Sequence, residues 1–155
     1  MKKRAQDGCP CGPNRIVVLY ASLDRDSLPC ARCGERLPVD SIKLPGDLQQ
    51  QLRAFVDQRH AIESLWFSSA QYEEWAKGEL DGSRSPINRL ARDLASKMSK
   101  HLETYAYFKP HAQAEQYVDP FLDPCPACGG ITEPSGFGEP YGRRCPACRI
   151  LGAGE

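Results

Sequence analysis

The chain carries no net charge, no long apolar run, only three histidines and, between Cys33 and Cys125, no cysteine at all. Each absence excludes something. The longest apolar stretch, Ile16 to Ala21, is far too short to span a bilayer. Met1-Lys-Lys-Arg4 imitates the basic start of a signal peptide, but Gln6, Asp7 and Gly8 stand where its apolar segment should begin, so a cytoplasmic protein with no membrane segment is expected. The 20 basic and 20 acidic residues cancel, whereas a protein that works by gripping phosphates usually shows a basic balance. With 41% hydrophobic and 26% charged residues, the composition is that of a globular protein rather than a disordered one.

Catalytic signatures are missing too. There is no phosphate-binding P-loop, no Gly-x-Ser-x-Gly nucleophile turn and no His-Glu-x-x-His motif. His60, His101 and His111 are scattered without ligand spacing, and the first two read as surface or helix-end residues. Glu63, Glu73, Glu74 and Asp93 fall on expected helix surfaces, with nothing to pair them into an acid/base site. No enzyme is expected, and no small-molecule substrate is evident.

What the sequence does have is eight cysteines in two groups. Cys125-Pro-Ala-Cys128 and Cys145-Pro-Ala-Cys148 form two Cys-x-x-Cys knuckles at the spacing of a tetrahedral four-thiolate zinc site, with a Gly/Pro-rich hairpin between them. Cys9-Pro-Cys11 and Cys30-Ala-Arg-Cys33 repeat the arrangement less regularly, because the first knuckle is one residue short. Exported, eight cysteines would suggest four disulfides; in a reducing compartment, paired knuckles point to metal. The clustering favours metal, since a disulfide scaffold would also tie down the middle of the chain. Redox use of the knuckles, a free thiol at Cys9 or Cys11, and iron in place of zinc remain chemically allowed. Two structural zinc ions are expected, and their thiolates would take the chain to a net charge of about −4. Four cysteines also close the coordination shell, which a catalytic zinc leaves open.

Between the clusters an α+β core is expected. Ile16-Val-Val-Leu-Tyr20 reads as a strand and Asp24-Arg-Asp26 as a turn, while Arg36 to Pro45 reads as an extended connector kept from helix by its prolines. Asp47 fits a helix N-cap with Leu48, Leu52, Phe55 and Val56 on one face, continuing to about His60 or through Ile62 and Leu65. Leu65-Trp-Phe67 reads as core. Ser68-x-x-Gln71 has a capping-box pattern that opens a short helix with Tyr72, Trp75 and Ala76 inward. Ser85 caps a third helix with Pro86 in its first position. Ile87, Leu90, Ala91, Leu94 and Met98 lie on one side of that helix, with Arg89, Arg92, Lys97 and Lys100 broadly on the other. That basic face, with Arg143 and Arg144 before the last knuckle, is the candidate anion or nucleic-acid contact, although solvation and charge balance explain such residues more often. Thr104-Tyr-Ala-Tyr-Phe108 is a strand ended by Pro110. The organisation expected is an N-terminal zinc ribbon and connector over 1–45, a helical core with one aromatic strand over 46–110, a linker over 111–120 and a C-terminal zinc ribbon over 121–155.

The succession Cys30-Ala-Arg-Cys-Gly-Glu-Arg-Leu-Pro-Val39, Lys43-Leu-Pro45, Leu65-Trp-Phe-Ser-Ser-Ala-Gln-Tyr-Glu-Glu-Trp-Ala76, Ser85-Pro-Ile-Asn-Arg-Leu90, Tyr105-Ala-Tyr-Phe108, Cys125-Pro-Ala-Cys-Gly-Gly130 and Arg144-Cys-Pro-Ala-Cys-Arg-Ile-Leu151 resembles a bacterial family of uncharacterised zinc-ribbon proteins with a suggested nucleic-acid-binding role. The resemblance covers roughly residues 28 to 151 and departs from the pattern at the shortened Cys9-Pro-Cys11 knuckle and the brief stretch before it. It implies the architecture and the metal sites. The suggested role rests on analogy between zinc ribbons and nucleic-acid binders, and fold analogy does not establish function. The function expected is therefore a non-enzymatic interaction protein that recognises a protein partner, as an accessory subunit or an immunity- or antitoxin-type inhibitor. The alternative is a nucleic-acid binder using the face around Arg89, Arg92 and Lys100.

Overall fold

A computed structural model describes residues 8–20, 25–108 and 123–153. The expected linker over 111–120 lies outside them, as do Asp24 of the expected turn, His111 and Phe121. The fold is α+β, with seven short strands and three α-helices among the described residues. In chain order these are β1 (Val17–Leu19), β2 (Ser27–Pro29), β3 (Arg36–Pro38), α1 (Gly46–Ser68), α2 (Glu73–Asp81), α3 (Pro86–Met98), β4 (Thr104–Tyr107), β5 (Glu133–Pro134), β6 (Arg143–Cys145) and β7 (Ile150–Gly152).

The aromatic strand β4 is the hub. Its residues are β-branched, aromatic or small, and all four are buried. β1 pairs with it in parallel, Val17 opposite Thr104, and β7 pairs on its other side in parallel, Ala106 opposite Ile150. β7 then turns back antiparallel to β6, and β6 to β5, giving the sheet order β1-β4-β7-β6-β5. One sheet thus draws strands from the stretches 1–45, 46–110 and 121–155. β2 and β3 form a separate antiparallel hairpin, joined to β1 by a bridge between Val17 and Cys30.

Alternation along the strands sorts the core onto two faces. Val17, Leu19 and Ala106 pack with Leu52, Phe55, Val56, Leu94 and Met98 of the helices. Ile16, Val18, Tyr105 and Tyr107 point the other way, where Leu151 and Tyr141 cover them. Tyr107 meets Tyr20 and Tyr141 edge to face, each at 5.1 Å between ring centroids. Among the described residues no helix is long and apolar enough to cross a membrane.

The third helix follows its sequence signals. Ser85 Oγ accepts the Asn88 N–H at 3.3 Å, Pro86 follows it, and Ile87, Ala91, Leu94 and Met98 are buried. The other two depart from expectation. α1 opens at Gly46 after Pro45, not behind Asp47, and continues past Leu65 to Ser68; Ser64 and Ser68 donate back to the carbonyls of His60 and Ser64 within it. Ser68 therefore caps nothing. Ser69 Oγ instead accepts the Tyr72 N–H at 3.1 Å, and α2 begins at Glu73. Of the expected inward residues Ala76 is buried, but the shift turns Tyr72 and Trp75 outward. α2 packs through Ala76 and Leu80, one turn apart, while Trp75 stands about 100° round the helix and Tyr72 lies before its first turn. Trp75 is 54% exposed and Tyr72 52%, and Phe67, expected in the core, is 61% exposed. The connector is also more structured than expected: Arg36–Pro38 pairs with β2, and a single 3-10 turn follows over Val39–Ser41.

Candidate metal centres

The four knuckles share one local device. The residue after each second cysteine takes a left-handed backbone: Gly12 at φ 54°, Gly34 at 77°, Gly129 at 72° and Arg149 at 53°. That turn brings the following N–H groups round toward the cysteine that opens the knuckle. Gly34 N donates to Cys30 O and Gly129 N to Cys125 O, both at 2.8 Å. Glycine takes this conformation without steric cost; a side chain pays roughly 1–2 kcal/mol. Arg149 is the exception, and its surroundings hold it. Its guanidinium sits 5.4 Å from the centre of the Tyr105 ring, and its carbonyl accepts the Ala106 N–H at 2.8 Å. Gly130 answers a different need: a Cβ there would lie 3.3 Å from Cys128 Sγ, the sulfur that its own N–H approaches at 3.4 Å.

These turns gather the thiols into two groups of four: Cys9, Cys11, Cys30 and Cys33, and Cys125, Cys128, Cys145 and Cys148. Within each, the sulfurs all lie within 4.8 Å of one another. A zinc ion bound at about 2.3 Å by four sulfurs sets them about 3.8 Å apart along each tetrahedral edge. Cys9 and Cys33 are 3.5 Å apart, and Cys128 and Cys145 are 3.8 Å apart. None of the eight is in a disulfide. The shortened Cys9-Pro-Cys11 knuckle still delivers both thiols, because the 3-10 turn Gly12–Asn14 begins directly after Cys11 and swings the chain away. Each group has the donor number, spacing and softness for one tetrahedral metal ion.

Electrostatics divides the labour within each group. Burial raises the Cys30 thiol, but N–H groups of Ile16, Cys33 and Arg32 more than reverse this and bring it down to about 7. The Gly130 N–H, with neighbouring thiols, brings Cys128 down to about 7. Burial and adjacent sulfurs push four of the thiols up: Cys11 to about 12, with Cys9, Cys145 and Cys148 also raised. Four thiols this close cannot all ionise against one another, and a divalent cation among them removes that conflict.

The basic residues singled out from the sequence do not converge. Arg143 donates to Thr132 Oγ1 at 2.8 Å and to its carbonyl at 2.6 Å, and Arg144 donates to Glu133 at 2.8 Å. Arg92 donates to the Ser83 carbonyl at 2.5 Å, and Lys97 pairs with Asp93 at 2.7 Å. Arg89 and Lys100 are exposed.

Sequence reasoning missed one buried ionic pair. Glu63, expected on a helix surface, is 6% exposed and lies 3.5 Å from the equally buried Arg59. The Arg59 guanidinium stands 5.4 Å from the centre of the Tyr20 ring. Spacing of four along a helix was the available signal, but α1 reaches this far only because it does not stop at His60, which sits mid-helix and half-buried.

Searches against family models, curated proteins and solved structures find no match to this chain.

Proposed function

We infer that this is a non-enzymatic protein held together by two structural zinc ions and that its work is to bind a protein partner. The observation that carries the reading is a contrast in how the surface is spent: four of the six candidate phosphate-contacting cations are engaged within the molecule, while three large aromatic side chains stand in solvent. Cations tied to carbonyls and carboxylates offer little to a phosphate backbone, and large exposed rings suit a protein interface. Two closed thiolate shells leave no coordination position for a substrate, and they take the net charge to about −4.

Zinc fits the donor set better than harder ions do, because thiolates favour soft or borderline metals and a closed four-sulfur shell. Elemental analysis should give two zinc ions per chain, one for each four-cysteine group. Iron with visible absorption would change the identity of the metal, and a content near one would demote the Cys9 and Cys11 group.

A nucleic-acid-binding role has one feature in its favour. Lys97, Lys100 and His101 border a shallow depression of about 400 Å³ beside the start of α1, where Pro45 and Asp47 also lie. Retention of the metal-loaded chain on immobilised DNA or RNA at low salt, lost as salt rises and lost again on Arg89→Glu with Lys100→Glu, would replace the protein-partner reading. No retention, together with recovery of one stoichiometric protein from the native cell, supports it.

A further inference from the structure

The two thiol clusters differ in how open they are to solvent. In the first, Cys30 is buried and Cys9, Cys11 and Cys33 are half-buried, so none is exposed. In the second, Cys125 and Cys145 are buried and Cys148 is half-buried, but Cys128 is exposed. Gly130 leaves its sulfur bare on one side, because a Cβ there would stand 3.3 Å from Cys128 Sγ. Cys145 Sγ lies 3.8 Å from the same sulfur, and all four sulfurs lie within 4.8 Å of one another. An open thiolate with other thiolates beside it is what reversible thiol oxidation needs: one sulfur to be oxidised and another to resolve it.

The surroundings decide what such a reaction would undo. Cys30 is part of the main core, and Cys9, Cys11 and Cys33 pack against it. Cys125 and Cys145 share a small core with Ile150 alone, touched by Phe108, Ala127 and Cys148, and no residue of α1, α2 or α3 enters it. The open cluster is therefore the one whose loss leaves the helical layer its own contacts.

We propose that the C-terminal cluster is a peroxide-sensitive clasp: a hydroperoxide oxidises Cys128, a neighbouring thiolate closes a disulfide onto it, and this metal site opens while the helices stay folded. The proposal rests on the structural-zinc reading and not on the nature of the partner. Hydrogen peroxide is the only co-reactant. The Cys128 thiolate attacks one of its oxygens, the O–O bond breaks, and a sulfenic acid forms as hydroxide leaves. A thiolate of Cys125, Cys145 or Cys148 then attacks the Cys128 sulfur, forms the S–S bond and expels a second hydroxide. Two thiolates have lost two electrons, the peroxide has gained them, and each hydroxide takes up a proton to become water. Two of the four donors are then gone, and the remaining pair no longer closes a tetrahedral shell. Opening the cluster loosens the packing around Ile150, at the start of β7.

The test treats the zinc-loaded full chain with hydrogen peroxide. Released zinc is followed with a chromogenic chelator, disulfides by mass spectrometry after alkylation of the remaining thiols, and helix by circular dichroism. One of the two zinc ions should leave first, with Cys128 in a disulfide to Cys125, Cys145 or Cys148. Cys9, Cys11, Cys30 and Cys33 should still be free thiols at that stage, and the helical signal should be unchanged. Dithiothreitol with added zinc should restore the lost ion. Cys128→His keeps a zinc-binding donor without a thiol, and it should hold both ions through the same treatment.

No release, release of both ions together, a first disulfide that leaves out Cys128, or loss of helix with the first ion overturns the proposal. So does an ion that dithiothreitol and zinc do not restore, or a two-zinc Cys128→His chain that releases one ion as fast as the native chain. Where that variant binds only one ion, the disulfide map of the native chain decides by itself. A native chain that holds fewer than two zinc ions before any peroxide is added removes the zinc reading, and the proposal with it.

Discussion

The two thiol clusters have the same chemistry and different settings. Cys30 belongs to the main core, with Val17, Leu37, Phe55 and Leu94, and Cys9, Cys11 and Cys33 pack against that core. Cys125 and Cys145 share a small core of their own with Ile150, touched by Phe108, Ala127 and Cys148. One site is therefore woven into the helical layer, whereas the other is a clasp at the opposite end of the sheet, beyond β4 from β1. A metal at the first should act as part of the core. A metal at the second should act as a local staple.

The sharpest way to break this comparison is to remove one ligand from each. Cys30→Ser should abolish cooperative folding, because structural zinc binding is worth on the order of 10 kcal/mol and a domain's whole stability is about 5–15 kcal/mol. Circular dichroism should show loss of helix as well as loss of one metal. Cys125→Ser should also lose one metal, but α1, α2 and α3 should keep their amide protection while β5, β6 and the knuckles exchange freely. Hydrogen exchange decides this, and global loss of helix in that variant would put both metals in the core.

Asn88→Ala sharpens the contrast from the helical side. Asn88 Nδ2 donates to the carbonyls of Leu80 and Gly82, each at 2.9 Å, and so fixes the turn between α2 and α3 away from both sites. Its removal strands buried acceptors and should cost about 1–3 kcal/mol by urea denaturation. Metal content should stay at two.

The knuckle turns give a smaller effect. Gly34→Ala and Gly129→Ala, where no atom would touch the new methyl within 4 Å, should each cost about 1 kcal/mol from backbone strain alone. Arg149→Gly relieves similar strain and loses a cation–π contact of about 0.5–1 kcal/mol. Its thermal midpoint should barely move.

The gentlest probe is pH. Burial raises the Glu63 carboxyl from the ordinary 4.5 to about 7, although Arg59 pulls it down. The folded chain thus keeps a proton that the unfolded chain releases. The stability Glu63 contributes is complete below about 4.5 and is lost as pH rises through about 7. Between pH 6 and 8 the native chain should lose stability relative to Glu63→Gln, since metal release affects both alike. Parallel pH profiles would show that Glu63 ionises normally.

The same distinction explains what the sequence made legible. Both ligand sets could be read because coordination imposes spacing, and the spacing of knuckles is written in consecutive residues. The third helix was equally plain, since Ser85, Pro86 and a clean apolar stripe agree. The direction in which Trp75 and Tyr72 point was not legible, because it turns on whether a serine caps or back-bonds within a helix, and Ser68 and Ser69 offered both. The buried Arg59 and Glu63 pair was hidden for a related reason: its burial depends on which elements pack over α1, not on its own pattern. Pairing of β4 with β1 and β7 is non-local and left no trace in any one segment. The metal clusters are thus the local part of the design and the sheet is the long-range part.

That division has a consequence in time. Each thiol cluster closes over a short span of chain, Cys9 to Cys33 and Cys125 to Cys148, so each can capture its ion as soon as that span exists. The parallel sheet cannot wait so little: Val17 must find Thr104, and Ala106 must find Ile150. Loop closure over such separations is slow beside local pairing. During synthesis β1 emerges long before its neighbour, with Val17, Val18 and Leu19 uncovered. A metal held by the first knuckles would shorten the chain's search by fixing β1 against Cys30, so that the ion would serve first as a foothold for assembly and only afterwards as part of the finished core.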